Sequence, residues 1–211
     1  MSFQYIAVEG PIGAGKTPLA RKLAMRLDAA LVLEETENPF LADFYGGRPG
    51  AALQTQLFYL LNRHRQQLSL RQGDLFAQAT VADYLFDRDK IFAYLNLDDN
   101  ELFIYQRLYD LLARDVPAPD LVIYLQAPTD VLVRRLRDRA RAADEGFTPE
   151  DTYVRELNEA YQHFFVHYTA TPLLVVETSH VDLLASDAAV DDLLRQIRSM
   201  TRGTRYYVPR T

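Results

Sequence analysis

A length of 211 residues accommodates one sizeable α/β domain and is too short for two comfortable ones, so a single domain over 1–211 is expected. With 48% hydrophobic and 25% charged residues the chain is one that buries a core, and a formal charge of −6 excludes a surface built to neutralise a nucleic-acid polymer. Cysteine is absent, no apolar run reaches the length of a membrane span, and a strand rather than a signal peptide opens the chain; a disulfide framework is excluded, and a cytoplasmic protein with no membrane partner is expected.

Residues 3–8, Phe-Gln-Tyr-Ile-Ala-Val, predict a buried strand that delivers its carboxyl end to Glu9 and Gly10. Leu19, Leu23, Ala24 and Leu27 recur at helical spacing, predicting a helix from about 15 to 28 with one apolar stripe for a sheet. Residues 30–33 predict a second strand, ending in Glu34 and Glu35. From 38 to 71 the pattern is helical, broken by the loop Gly46-Gly-Arg-Pro-Gly50. A third strand is predicted over 75–82, ending at Asp83, and two helices over 85–114, split near 96–99. Then come a fourth strand over 121–125, helices over 130–141 and 149–168, a fifth strand over 173–176 and a helix over 188–200. Residues 201–211 read as a short polar and aromatic tail. Strands alternating with long helices predict a three-layer α/β fold, a central five-stranded parallel sheet flanked by helices. Ligands of such sheets bind at the strand carboxyl ends, where Gly10, Glu34 and Asp83 all fall.

Gly10 to Thr17 read Gly-Pro-Ile-Gly-Ala-Gly-Lys-Thr, the G-x-x-x-x-G-K-[ST] spacing of a phosphate loop between a strand and a helix. Gly10, Gly13, Ala14 and Gly15 are small enough for backbone N–H groups to turn inward around phosphate oxygens at a helix N-terminus, whose dipole favours anions. Lys16 is the expected partner of the β- and γ-phosphates, and Thr17 of Mg²⁺. Pro18 departs from expectation. It lacks the N–H that would reach the α-phosphate, so the donor is expected to bind more weakly than in a relative with Ser there, although the first helical turn tolerates proline.

Phosphoryl transfer needs the donor held, its charge neutralised and the acceptor oxygen aimed in line. Glu34, placed by topology beside the loop, is the expected group to take or orient the acceptor's proton, with Glu35 its alternative. Asp83 is expected to hold Mg²⁺, usually through water, opposite Thr17, and would also serve as a helix N-cap. Arg134, Arg137 and Arg141 share one helical face, and Arg135 and Arg139 a neighbouring one. This run ends in Ala142-Ala-Asp-Glu-Gly146 and reads as an arginine-rich lid over a triphosphate, with Arg137 and Arg141 on the donor and Arg139 stabilising the transferred group.

Taken together, these motifs resemble the deoxynucleoside kinase family, particularly its bacterial members. The resemblance spans nearly the whole chain. It is carried by residues 5–17, by Glu37-Asn-Pro-Phe-Leu41 with Asp43-Phe-Tyr45, by Gln54 before Arg63, by Pro119-Asp-Leu-Val-Ile-Tyr-Leu125, by Arg139-Ala-Arg141, and by residues 153–161. It implies Glu34 as acceptor of the 5′-hydroxyl proton, Gln54 as partner of the nucleobase, and Phe40 and Phe92 as stacking walls. Tyr45 with Asp144, or Glu145 in its stead, would hold the 3′-hydroxyl. It also implies a homodimer through the long helices after the second strand. At one point the chain departs from the family pattern of an acid followed by Arg and Ser: it has Asp83-Tyr-Leu85, and Arg63, Arg88 or a lid arginine would have to supply the missing charge.

The expected reaction is transfer of the γ-phosphoryl group of ATP, or another triphosphate, with Mg²⁺, to a purine deoxynucleoside or deoxycytidine. Two other readings are a nucleoside monophosphate kinase resembling thymidylate kinase, which would want an extra positive site for the acceptor's phosphate, and a non-catalytic nucleotide-binding member. Pro18 and Tyr84 favour the latter, while Lys16, Thr17, Glu34 and Asp83 oppose it.

Overall fold

A computed structural model describes residues 3–72, 79–143, 149–179 and 187–209. It divides into two compact units: Met1–Leu33 with Ala77–Tyr84 and Pro119–Thr211, and Glu34–Phe76 with Leu85–Ala118.

The first unit is built on a parallel sheet of strands β1 (Tyr5–Glu9), β2 (Ala30–Val32), β3 (Thr80–Ala82), β4 (Leu121–Gln126), β5 (Leu173–Glu177) and β6 (Thr204–Tyr207). Their order is β2-β3-β1-β4-β5-β6, and every pair is parallel. The near-continuous apolar runs of β1 and β4 put those strands at the centre, buried on both faces. Helix α1 (Lys16–Leu27) buries Leu19, Ala20, Leu23 and Ala24, the stripe expected from their spacing, and each buried leucine contributes about 1.5–3 kcal/mol. The helix stops at Asp28, whose left-handed φ of 51° turns the next N–H, that of Ala29, back to the carbonyl of Ala24 at 2.9 Å.

The sheet has six strands rather than five. Residues 201–211, expected as a tail, supply β6, in which Tyr207 turns onto the core while Tyr206 faces solvent. Four residues are too few to show an alternation in sequence, and the pairing with β5 decides the conformation. The third strand is shorter than expected, and part of its predicted span, 75–78, lies outside the described residues.

The second unit is helical. After α2 (Leu41–Tyr45) and α3 (Ala51–Gln72) come a short 3-10 turn at Phe86–Arg88, α4 (Asp89–Asn96) and α5 (Asp99–Leu112). The break expected near 96–99 is a capping box: Asp98 Oδ1 accepts from the N–H groups of Asn100 and Glu101, each at 2.9 Å, and Glu101 Oε2 accepts from Asp98 N at 3.3 Å. Leu60, Phe86, Ala93, Tyr105 and Tyr109 form the core of this unit. The outer side of α5 leaves Phe103, Ile104, Leu108 and Leu111 exposed. Helices α6 (Thr129–Ala143), α7 (Asp151–Val166) and α8 (Asp187–Ser199) complete the first unit. Among the described residues no helix is long and apolar enough to cross a membrane.

Candidate active site

Strand β1 runs straight into the phosphate loop. A Cβ on Gly10 would lie 2.7 Å from the carbonyl oxygen of Leu125, so the adjoining strand β4 admits only glycine. Gly13 is held at φ +86°, and a Cβ there would lie 3.1 Å from Leu136 Cγ. Gly15 opens α1 without a side-chain cap, which leaves first-turn N–H groups to an anion. Pro18, exposed in that turn, withholds one of them. The Lys16 ammonium donates to the carbonyls of Gly10 at 2.7 Å and Pro11 at 3.3 Å, spanning the loop from within.

Thr17 and Asp83 meet as their positions predict, Oγ1 donating to Oδ2 at 2.5 Å. Asp83 is 4% exposed and its N–H is pinned to the carbonyl of Val32 at 3.1 Å. A hydroxyl and a carboxylate oxygen at this separation form the hard donor set that suits Mg²⁺ beside phosphate oxygens. The turn that begins at Leu85 has no side-chain cap.

The lid arginines go three ways. Leu132 and Leu136 press α6 against the loop at Gly13, and Arg139 continues that stripe one turn on. Arg134, Arg137 and Arg141 instead line a cavity of about 730 Å³ with Asp130, Asp151 and Arg155. Arg137 pairs there with Asp151 at 2.6 Å, and Arg141 with Asp138 at 3.6 Å. Arg135 donates to Thr178, anchoring α6 at the end of β5. Asp144 and Glu145 lie outside the described residues.

In the second unit the structure separates the two glutamates that the sequence leaves open. Glu35 is 53% exposed and makes a loose pair with Arg65 at 3.7 Å. The Glu34 carboxylate is 14% exposed and sits between two buried arginines: Arg88 Nη2 is 2.6 Å from both its oxygens, and Arg63 donates to Oε1 through Nε at 2.9 Å and again through Nη2. Arg63 also pairs with buried Asp89, whose other oxygen accepts from Tyr105 Oη at 2.7 Å. Burial, more than the nearby phenol of Tyr109, pushes the Tyr105 hydroxyl well above its ordinary pKa. Arg63 lies over the ring of Tyr59, 5.0 Å from its centre, and Arg88 over that of Phe92, 5.3 Å away. Tyr59 feels the charge of Glu34 and neighbours Tyr45, so both join the same cluster.

Gln54 is on the solvent side of α3. Gln56 is a buried amide of the same helix, as is Gln67, and its Nε2 donates to the carbonyl of Asp89 at 3.0 Å. Phe40 packs edge-on against Phe58, with ring centres 6.0 Å apart. Sequence reasoning therefore missed Gln56, Asp89 and Tyr105. Spacing offered a signal for the first, since Gln56 and Arg63 are seven residues apart, about two helical turns, whereas Gln54 and Arg63 are nine apart and face opposite ways.

Comparison with known proteins bears on the family and the fold. The family model described as "Deoxynucleoside kinase" matches residues 6–202. A deoxyguanosine kinase of Bacillus subtilis is 34% identical over 164 residues, covering 75% of this chain and 76% of that one. A deoxyadenosine kinase of Lactobacillus acidophilus is 28% identical over 215 residues, with 94% and 97% covered. The solved structure of deoxyadenosine kinase from M. mycoides with bound dATP shares the fold at TM-score 0.74 and 22% identity, covering 92% of this chain and 98% of that one.

Proposed function

The chain belongs to the deoxynucleoside kinase family and is a phosphotransferase acting on deoxynucleosides, and we propose that it moves the γ-phosphoryl group of ATP, with Mg²⁺, to the 5′-hydroxyl of a free purine deoxynucleoside or deoxycytidine in the cytoplasm. The observation that carries this reading is the pairing of two constellations in one chain: a phosphate loop with Thr17 on Asp83, and a buried cluster in which an acid, Glu34, is fixed by two arginines. The names of the relatives, deoxyguanosine and deoxyadenosine kinases, support a purine acceptor.

In this reading the loop N–H groups and Lys16 hold the donor's phosphates, and Lys16 exchanges its carbonyl partners for their oxygens. Thr17 and Asp83 would hold Mg²⁺, which neutralises charge on the β- and γ-phosphate oxygens. Arg139, on the stripe that meets the loop, stabilises the transferred group, while Arg137 and Arg141 reach the donor only by leaving Asp151 and Asp138. Glu34 aims the 5′-hydroxyl. A loose transition state asks more for aim than for basicity, and a carboxylate fixed by two guanidinium groups supplies aim.

Gln56, rather than Gln54, is the amide we assign to the nucleobase, because one buried amide donates and accepts together against a base edge. Phe92 and Phe40 would wall the base, and Tyr45 with Asp144 would hold the 3′-hydroxyl. A monophosphate acceptor would need a spare cation in this unit, yet its buried arginines, Arg63 and Arg88, are both committed to carboxylates. The exposed apolar residues of α5 support a homodimer, since their burial against a second copy would remove them from water.

Incubating the protein with ATP, Mg²⁺ and each of the four deoxynucleosides or thymidylate, beside Lys16→Ala and Glu34→Gln variants, tests the proposal. Turnover of a purine deoxynucleoside or deoxycytidine, lost in both variants, is expected. Turnover of thymidylate alone, or of none, would overturn it.

A further inference from the structure

Beneath the phosphate loop lies a buried acid that the reaction as described does not use. Glu9 ends β1 with 0% exposure, in a place where the strand's other residues are apolar. One of its oxygens, Oε1, accepts from the N–H of Gly10 at 2.8 Å and from the hydroxyl of Tyr161, on α7, at 3.1 Å. The Tyr161 ring is itself locked, stacked against Tyr124 at 6.5 Å and Phe165 at 6.3 Å. On the far side of the Gly10 α-carbon, in the next peptide, the Gly10 carbonyl accepts from the Lys16 ammonium at 2.7 Å.

Burying a carboxylate in a strand core is costly unless its partners require it, and here the partners are the first peptide of the loop and α7, whose Tyr161 ring stacks on Tyr124 of β4. Gly10 joins that peptide to the next without a side chain, since a Cβ there would meet the carbonyl of Leu125 at 2.7 Å, and its φ of +158° keeps the chain extended between the two. The bond to Glu9 holds the first of these two peptides, the extended chain at Gly10 carries that orientation into the second, and the carbonyl of the second is where Lys16 waits.

We propose that Glu9 and Tyr161 are positioning residues for the phosphoryl donor: they orient the peptide that enters Gly10, and through it the Gly10 carbonyl, so that Lys16 is held across the loop before a triphosphate arrives. This rests on the reading that the loop binds the donor. Tyr161→Phe keeps the stacked ring and removes only the hydroxyl, and Glu9→Gln keeps the shape and an acceptor oxygen but removes the charge that makes its hydrogen bonds strong.

Each variant is expected to raise the Michaelis constant for ATP about three- to tenfold, as losing a charge-assisted hydrogen bond through one intermediary would. The constant for the deoxynucleoside should stay within about twofold, because nothing in that pocket has changed. The double variant should be no worse than the worse single one, since the two side chains act through one peptide. Tyr168→Phe is the control: that buried hydroxyl pairs with Thr171 at 2.8 Å, away from the loop, and should lower the melting temperature without moving the ATP constant. If Lys16→Ala abolishes ATP binding while Tyr161→Phe and Glu9→Gln behave like Tyr168→Phe, the positioning role is refuted and the donor site stands. If Lys16→Ala itself binds and uses ATP normally, the donor reading fails, and this proposal with it. Should Tyr161→Phe fold poorly, Glu9→Gln alone decides between the first two outcomes.

Discussion

Arg88 is the residue through which the assignment of Glu34 can be tested most directly. Its Nη2 lies 2.6 Å from both oxygens of Glu34, and the two side chains are only 8% and 14% exposed. Breaking a fully buried pair costs about 3–5 kcal/mol. Glu34 keeps Arg63 and some access to water, so Arg88→Met should cost less, about 2–3 kcal/mol, the upper range for a hydrogen bond to a charged group. If holding the carboxylate is what aims the acceptor hydroxyl, that loss appears in kcat/KM for the deoxynucleoside as about a 30- to 150-fold decrease, at 1.4 kcal/mol per factor of ten. Arg88→Lys keeps a charge but no fork, and should fall between, about tenfold down. A coupled assay of phosphorylation across acceptor concentrations, with urea midpoints beside it, separates activity from stability. If Arg88→Met loses stability as stated yet keeps kcat/KM within about threefold of the parent, Arg63 alone suffices and the reasoning is wrong.

Pro18→Ser restores a first-turn N–H and should lower the ATP Michaelis constant about three- to tenfold; an unchanged value would mean that position never faced a phosphate. Gln56→Leu should cost at least about tenfold in kcat/KM for the preferred nucleoside, because a polar base edge then meets an apolar wall, while Gln54→Leu, on the solvent side, should change it by less than about twofold. The raised hydroxyl of Tyr105 gives a signed pH dependence. Its folded value lies above the ordinary 10.0, so its contribution to stability is complete below that pH and is lost as the pH rises through and beyond it. Urea midpoints should hold steady up to about pH 10 and fall above it, less steeply in Tyr105→Phe; equal slopes in both proteins would remove Tyr105 from the account. Leu108→Asp with Leu111→Asp should leave the circular dichroism spectrum intact and convert a dimer to a monomer in sedimentation, whereas two sedimenting monomers would show that α5 is no interface.

How far the sequence reached depended on whether residues were neighbours in the chain. The phosphate loop was legible because eight consecutive residues carry both its backbone shape and its chemistry, and β1 with α1 could be read from their apolar spacing. Thr17 and Asp83 are 66 apart, but each stands at a strand or helix end where topology alone brings them together. The clamp on Glu34 was legible only as a choice among Arg63, Arg88 and a lid arginine, because it joins three segments whose side chains are selected by packing: nothing in Phe86-Asp-Arg-Asp-Lys says that Arg88 and Asp89 turn inward while Asp87 and Lys90 stay nearer the surface. The sixth strand was hidden for a related reason, since β6 is extended by its partner β5 rather than by its own four residues.

The place of β1 in the sheet bears on the order in which the molecule can assemble. Its hydrogen-bonding partners are β3 on one side and β4 on the other, and the N–H of Tyr5 closes on Asp120 across 115 residues. Contacts of such separation carry a high loop-closure entropy and form late. Amide exchange during refolding should therefore protect the local turns of α5 and α7 before the strand that feeds Gly10, so that the part of the protein most compactly written in its sequence is among the last to take shape.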